Sequence, residues 1–240
     1  MIKFIRTENL KAKKSGEYLI HLLAPIILVL GMLFLSFLYG FSEFRQIIYL
    51  LDLISIGLPF MISIVVTINI EQERQAGNFK GILLNENKLK YFFTKIFRLW
   101  VMGFLAIVFS VFLYELLIGN FNYMELVLKS ILILTVTMLP TYLVHFFVDM
   151  RFSRNISIFL GAIEAMINAV FLTRLGDYLW KFFPCSWISR SLRYYSIIKL
   201  QNIKINIDYF SKTIVLIVTI IIVLFLLFWY RSWEGNNIEE

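Results

Sequence analysis

The ionisable side chains inside long apolar stretches of this sequence are the residues best placed to do chemistry. Glu164 lies in the middle of the apolar stretch 156–172, and Asn168 follows one helical turn later. Ionisable groups in such stretches are costly to bury and usually face other helices or water. Gly161 and Ala165 form a small-residue pair beside Glu164, which favours close helix contact. We predict that this face packs against another helix, at a subunit interface or lining a pathway; a protonated or hydrogen-bonded carboxyl with only a structural role is the alternative.

Motifs that would carry catalysis or bind a nucleotide are missing from the sequence. There is no G-x-x-x-x-G-K-[ST] phosphate loop, no G-x-S-x-G, no H-E-x-x-H and no C-x-x-C. Two histidines and the single Cys185 lie far apart and make a poor set of metal ligands. We therefore predict no catalytic residue, no cofactor site and no metal site, and infer that energy for any work comes from a partner.

The elements that must position these residues are membrane-spanning helices. Of the 240 residues, 60% are hydrophobic and only 16% are charged, against about 25% charged in an average soluble domain. A helix needs roughly 20 mostly apolar residues to cross the hydrocarbon core, and an open sheet cannot satisfy its backbone in lipid. We predict an all-α membrane protein with one domain over 19–230. Its six predicted spans are 19–41, 47–70, 96–118, 127–148, 156–172 and 213–230.

The distribution of basic residues predicts the orientation of the spans. An even number of spans places both termini on one side, and segments on that side hold 13 Lys and Arg against eight on the other. The positive-inside rule therefore predicts cytosolic termini. Segment 1–18 mixes apolar and basic residues, which predicts an in-plane amphipathic helix on the inner membrane face; a solvated basic tail is the alternative. Residues 231–240 are predicted to be a short cytoplasmic tail.

The segment 71–95, EQERQAGNFKGILLNENKLKYFFTK, is a polar loop between the second and third predicted spans. Its start can extend the second span as a polar helix, and the Gly-Asn pair supplies a stop because both residues tolerate a left-handed backbone. Apolar residues then recur at helical spacing, which predicts a short helix presenting an apolar face. We predict that this face docks onto a cytosolic partner; a patch resting on the membrane is the alternative. The residues singled out in the loop are Glu71, Glu73, Gly77, Asn78, Phe79, Ile82 and Leu83.

The segment 173–212 is a second unusual loop, in which aromatic and basic residues alternate. Interfacial aromatic residues of this kind sit at the level of lipid headgroups. The proline breaks the segment, so we predict a re-entrant-like outer element of two short helices before the last span. It is either a substrate-contacting or gating element, or an aromatic belt that anchors the short fifth span. Its candidate residues are Trp180, Phe183, Pro184, Trp187 and Arg190.

Six further ionisable residues fall within predicted spans. In the outer half, a charge pair between Lys129 and one of two carboxylates, Asp52 or Glu115, would lower the cost of burial for both partners. Nearer the inner face, long or amphipathic side chains can reach the interface, so no special role is predicted for them. These inner residues are His21, Arg98 and His145. The scattered distribution argues against a relay of carboxylates crossing the membrane.

Three parts of the chain resemble the type-2 ABC exporter permeases, and within them the lantibiotic-immunity permease subunits. T-E-N-L-K-A-K-K-S at 7–15, leading to Pro25, is similar to their in-plane elbow helix. E-Q-E-R-Q-A-G-N-F-K-G-I-L-L at 71–84, followed by Lys95, is similar to their first cytoplasmic loop. F-P-C-S-W at 183–187 resembles their outer segment. The six-span layout covers the whole chain.

The resemblance implies a half-transporter in a bacterial cell membrane. Such a permease pairs with a second copy or a sister permease and binds two cytosolic ATPase subunits, which hold ATP and Mg²⁺. The loop 71–95 would then carry the helix that docks into the ATPase. The implied cargo is a cationic amphipathic peptide expelled for self-protection, with membrane lipids as further partners and no nucleic acid. Export of the cell's own cytolytic peptides, and a non-transport role as a membrane anchor or sensor, remain the alternatives.

Overall fold

The fold is a bundle of α-helices, and the computed structural model describes residues 2–84, 88–118, 122–201 and 209–235. Within these ranges there is no strand, and six helical segments are long and apolar enough to cross a membrane. This confirms an all-α chain with six candidate spans. The helices are α1 (Ile2–Ser15), α2 (Glu17–Tyr39), α3 (Glu43–Gln75), α4 (Lys80–Leu83), α5 (Lys88–Ile118), α6 (Met124–Thr137), α7 (Leu139–Arg151), α8 (Arg154–Phe171), α9 (Ser186–Gln201) and α10 (Tyr209–Ser232).

The helices differ from the predicted spans mainly at their ends. Helices α3 and α5 contain 33 and 31 residues, so both continue beyond the predicted spans into the polar loop. Hydropathy locates the part of a helix that suits lipid, whereas the backbone hydrogen bonds decide where the helix stops. The fourth span is divided into α6 and α7 at Met138. Pro140 explains the division, because proline lacks the N–H that the helix needs and its ring crowds the preceding turn.

Helix α3 forms the centre of the bundle. It packs against α8, α7, α2 and α9, and Leu51, Ile62 and Val66 along its length are completely buried. By contrast α2 and α10 lie at the periphery, where large apolar side chains such as Phe37 and Phe228 are exposed. A helix buried on several faces forms the core of a bundle, and large apolar side chains on the outside of a bundle are typical of a surface that contacts lipid.

Several polar elements gather at one end of the bundle, which we call the α4 end. Helix α1 packs on α2, α3 and α5 there, and the C-terminal end of α10 reaches α4 through a contact between Trp233 and Phe79. The first described helix and the last described residues therefore lie at the same end, as an even number of candidate spans would give. The inward face of α1 carries Glu8 and Ala12, whereas Leu10 is exposed. Its predicted place in the plane of a membrane, and the cytosolic side of the α4 end, stay predictions.

The segment after α8 is more closely packed than the sequence indicated. Two single helical turns, Arg174–Gly176 and Trp180–Phe182, are followed by the 16-residue helix α9. Helix α9 packs against α6, α3 and α8 and buries Ile188 and Leu192. The predicted pair of short helices along the surface is therefore replaced by two turns and one longer helix within the bundle. Residues 202–208 of this segment lie outside the described residues.

Candidate functional site

A buried network of charges lies inside the bundle at the α4 end. Its centre is Lys95 of α5, whose side chain is 1% exposed. The Lys95 Nζ atom lies 2.7 Å from Glu8 Oε2 of α1 and 2.9 Å from Glu73 Oε1 of α3. It also donates to Asn69 Oδ1 at 2.9 Å. One ammonium group thus joins three helices, and its three donors are all used.

Two further side chains complete the centre of this network. Lys11 Nζ lies 2.5 Å from Glu73 Oε1, and the Tyr91 hydroxyl donates to the same oxygen at 2.5 Å. Burial raises the pKa of Glu8, but Lys95 and Lys11 lower it more, so its pKa lies below the ordinary value. Burial lowers the pKa of Lys11, but its bonds to Glu73 and Glu8 outweigh this and raise it. The ionised forms are therefore the stable ones.

A second ion pair extends the network to α2. Arg98 NH2 lies 2.7 Å from Glu17 Oε1 and NH1 lies 3.2 Å from Oε2, a forked geometry that fits guanidinium to carboxylate. Asn69 donates to Glu17 Oε2 at 3.4 Å and so connects the two parts. The expectation that the Arg98 side chain reaches the membrane interface is wrong, because it is 4% exposed and paired with Glu17.

The whole network, which we call the α4-end network, balances three carboxylates with three cations. A buried ion loses its hydration, which only close partners and hydrogen bonds can offset. Because the partners come from different helices, the network fixes their mutual positions. Its members are Glu8, Lys11, Glu17, Asn69, Glu73, Tyr91, Lys95 and Arg98. The sequence signal was the presence of acidic residues near the start of the chain and cations spaced by three on α5.

The loop between α3 and α5 turns sharply where the sequence predicts a stop. Helix α3 continues to Gln75, and Gly77, Asn78 and Phe79 then have φ angles of 116°, 49° and 64°. The Phe79 N–H donates to Glu73 O at 3.1 Å, which closes the end of α3. The predicted break is confirmed and extends to Phe79. The helix that follows has only four residues, and the predicted turn at 85–87 lies outside the described residues.

The apolar face of α4 points inward. Phe79 and Ile82 are 1% and 0% exposed, and the Phe79 ring meets Trp233 edge to face with centroids 5.1 Å apart. These two side chains are therefore covered within the chain itself, and the predicted docking onto a partner stays a prediction. Leu83 is half-buried, whereas Leu84 is 83% exposed. Glu71 lies near the C-terminal end of α3, where it pairs with Arg74 at 2.6 Å.

Glu164 lies inside the chain rather than on an open surface. Its Oε2 is 2.9 Å from His145 Nε2 of α7, and His145 Nδ1 is 3.2 Å from Ser157 Oγ. Asn168 donates to Ser55 O of α3 and accepts from Ser189 of α9, each at 3.1 Å. The predicted contact with another helix is found, and the other helices belong to the same chain. His145 is completely buried, so the expectation that its side chain reaches the membrane interface is wrong.

Gly161 sets the closeness of α8 to α3. A Cβ atom added at Gly161 would lie 2.3 Å from Ser63 Oγ and 3.1 Å from Pro59 O. Only glycine permits this approach, which brings Glu164 and Asn168 into the interior. The predicted role of the small-residue face in close packing is confirmed.

Two substitutions of Glu164 distinguish the contribution of its hydrogen bond to stability from the contribution of its charge. Glu164→Gln keeps a group that can bond to His145 Nε2, whereas Glu164→Leu leaves that buried nitrogen without it. We expect Glu164→Leu to lower the free energy of unfolding by about 1–3 kcal/mol and Glu164→Gln to change it by less. Unfolding in mixed SDS micelles measures both. Equal losses in the two variants would contradict this explanation and show that the carboxylate charge itself is required.

Other charged pairs also differ from the prediction. Lys129 pairs with Glu125 on the surface at 2.7 Å rather than with Asp52 or Glu115. Asp52 instead pairs with Arg193 of α9 at 3.0 Å. At the opposite end of α3, Thr67 donates to the buried Asp149, which the sequence analysis did not select. Such partners could not be chosen from span positions alone, because every span offers several faces.

The aromatic residues after α8 form a small packed cluster. Trp180 and Trp187 are 4% and 1% exposed and pack with Phe171 at the end of α8. Phe183 meets the Phe171 ring edge to face at 5.5 Å. Pro184 follows the second helical turn, and Arg190 pairs with Asp177. Most of these groups are occupied inside the chain, which favours the anchoring interpretation over an open substrate surface.

The described part of the chain contains no group of three or more His, Cys, Asp or Glu side chains arranged to hold a metal ion. Comparisons with protein-family models, curated proteins and solved structures find no match. Along the chain, the short helix α4 lies between the long helices α3 and α5, and its apolar side is covered. The α4-end network joins α1, α3 and α5 nearby.

Proposed function

We propose that this chain is the permease subunit of an ABC exporter in a bacterial cell membrane. It expels cationic amphipathic peptides in self-protection, and a separate pair of ATPase subunits binds Mg²⁺ and hydrolyses ATP. The permease works as a pair, with a second copy or a sister permease. The likeness of the loop 71–95 to the coupling loop of these exporters motivates the proposal.

The observation that carries the proposal is the mechanical placement of α4. It lies between α3 and α5, the two longest helices, and α3 runs unbroken for 33 residues from this loop. A continuous helix transmits displacement along its hydrogen-bonded axis. The Lys95 contacts to Glu8 and Glu73 tie α1 to the same two helices. A push on α4 would therefore move α1, α3 and α5 together.

The exposed tip of this loop is the expected first contact with the ATPase. Leu84 is 83% exposed beside the exposed Lys80. Leu84→Asp should weaken ATPase association by about 10- to 100-fold, because an acid replaces an apolar contact in an interface. The measurement is co-purification with a co-expressed ABC ATPase subunit.

Leu10→Asp is the matched control for this prediction. Leu10 is also exposed at the α4 end, at 58%, and lies on α1 rather than on the loop. The Leu10→Asp variant should still co-purify with the ATPase. Undiminished ATPase recovery with Leu84→Asp, or equal loss with both variants, would reject docking at this tip.

The cargo is tested by deletion of the gene. Sensitivity to lantibiotic-like cationic peptides should rise and should return to normal when the chain is restored. A deletion strain that tolerates a panel of such peptides unchanged would reject self-protection. Loss of a secreted cytolytic peptide from its culture supernatant would assign export of the cell's own peptides instead.

The burial of Phe79 and Ile82 favours a second candidate, a non-transport anchor or sensor. With these side chains covered, α4 offers a partner less apolar surface than a docking helix needs. ATP hydrolysis by the reconstituted complex separates the two functions. Turnover stimulated by peptide favours transport, whereas intact binding without stimulation favours the anchor.

A further inference from the structure

The C-terminal end of the described chain covers the apolar face of α4. Trp233 is 6% exposed, and its ring lies 5.1 Å from Phe79 and 6.3 Å from Tyr230, measured between centroids. Lys88 donates to the Trp233 carbonyl at 3.4 Å. Gly235 lies close to Leu83, since a Cβ added there would be 3.2 Å from Leu83 Cδ1. The cover is therefore made by residues 233–235, which follow α10 and are far along the chain from the loop.

Polar atoms in and beside this cover are buried without hydrogen-bond partners. Among the described residues, Trp233 Nε1 and the Tyr230 hydroxyl are buried without a hydrogen-bond partner. A buried polar group without a hydrogen-bond partner costs free energy, and this cost offsets part of the stabilisation that the apolar contacts supply. The segment beyond Ser232 is not helical, so backbone hydrogen bonds of a helix do not hold it in place. Release of the segment would return Trp233 Nε1 to partners in water, whereas Tyr230 belongs to α10 and stays packed on Phe92 and Phe146.

The covered face has the chemistry of a docking surface. Phe79 at the start of α4 and Ile82 and Leu83 within it are anchor-sized apolar residues, and protein interfaces centre on such groups in desolvated pockets. Trp233 packs on Phe79 in the way that a partner's side chain would. Leu84 remains exposed while the face is covered, so a partner can make first contact before the cover opens.

We propose that residues 233–235 are an intramolecular latch, and that a partner protein with an apolar groove binds α4 by displacing Trp233. This rests on the proposed function, in which the ATPase is that partner. In the free chain, the segment after α10 covers α4. In the complex, the apolar groove of the partner takes the place of this segment. The latch therefore keeps the apolar face covered until the partner arrives.

Cysteine labelling tests the cover without any partner. In a Cys185→Ala background, Ile82→Cys should react slowly with a water-soluble maleimide in the purified full chain, and Leu84→Cys quickly. Adding Trp233→Ala should raise the Ile82→Cys rate by about 10-fold if about a tenth of the chains are open beforehand. Phe228→Ala, an aromatic loss at a 77% exposed position of α10, should leave that rate unchanged. Protection of Ile82→Cys that survives Trp233→Ala, or fast labelling before it, would overturn the latch.

ATPase co-purification tests the competition. Trp233→Ala should raise the apparent affinity by up to about 10-fold for the same open fraction, and Trp233→Phe should restore the parent value. A role of Trp233 in merely supporting α4 predicts a fall, and a fall or no change would overturn the inference. Absence of ATPase from both parent and variant would reject the proposed function and with it the competition, while the labelling result would still decide whether the tail covers α4.

Discussion

Replacing Lys95 with methionine is expected to lower the free energy of unfolding by about 3–5 kcal/mol. The change removes the ammonium that lies within 3 Å of both Glu8 and Glu73, and only Lys11 then remains beside the two carboxylates. An unbalanced carboxylate that is cut off from water is far more costly than a missing attraction. Unfolding in mixed SDS micelles and the yield of monodisperse protein in mild detergent both measure the loss.

Lys90→Met is the matched control for this prediction. Lys90 lies on the same helix, five residues earlier, and is exposed, so its removal should change stability by less than about 1 kcal/mol. A second change should partly rescue the first: Lys95→Met combined with Glu8→Gln removes one of the stranded charges, and neighbours in one network do not act independently. Equal stability of the Lys95 and Lys90 variants would show that the α4-end network does not hold the helices together.

The second large effect is expected at Gly161. Gly161→Ala should lower the free energy of unfolding by about 1–3 kcal/mol, as extra volume does in a filled interior. The new methyl group would overlap Ser63 and crowd the Pro59 carbonyl of α3. Helix α8 would have to move outward, which would also lengthen the contacts of Asn168 to Ser55. The SDS unfolding assay measures the loss of stability.

Gly31→Ala supplies a control of opposite sign. A Cβ at Gly31 of α2 would meet nothing within 4 Å, so this change should be neutral or should stabilise by about 0.5–1 kcal/mol through higher helix propensity. The same substitution in two helices thus separates packing from propensity. A Gly161→Ala protein as stable as Gly31→Ala would contradict the close approach of α8 to α3.

The pairing of charges could not be predicted from the sequence. Lys95 and Glu8 are 87 residues apart, and the sequence offered each cation several carboxylates near the same membrane depth. Lys129 shows the difficulty: two buried carboxylates were predicted as partners, but Glu125, four residues away on its own helix, is closer. Depth along a span follows from hydropathy, whereas the rotation of a span about its axis follows from how all the helices pack.

Patterns among residues close together in the sequence, in contrast, predicted the local structure that those residues determine. Hydropathy over about 20 residues predicts helices suited to lipid because no other open structure satisfies the backbone there. The Gly77-Asn78 pair predicts the end of α3 because these residues tolerate a left-handed backbone, and the turn is found there. Gly161 predicts a close helix contact because it lacks a side chain, although it does not name the neighbouring helix.

The sequence by itself therefore determined the class of the protein, the approximate spans, the break before α4 and the close-packing face of α8. Each depends on residues that are near one another along the chain. Only the tertiary structure decided the partners of Lys95, Arg98 and Glu164, and it turned Phe79 toward Trp233 instead of outward. The physical reason is that burial and ion pairing are set by whichever distant helix covers a face, and that information is not contained in the spacing of residues on one helix.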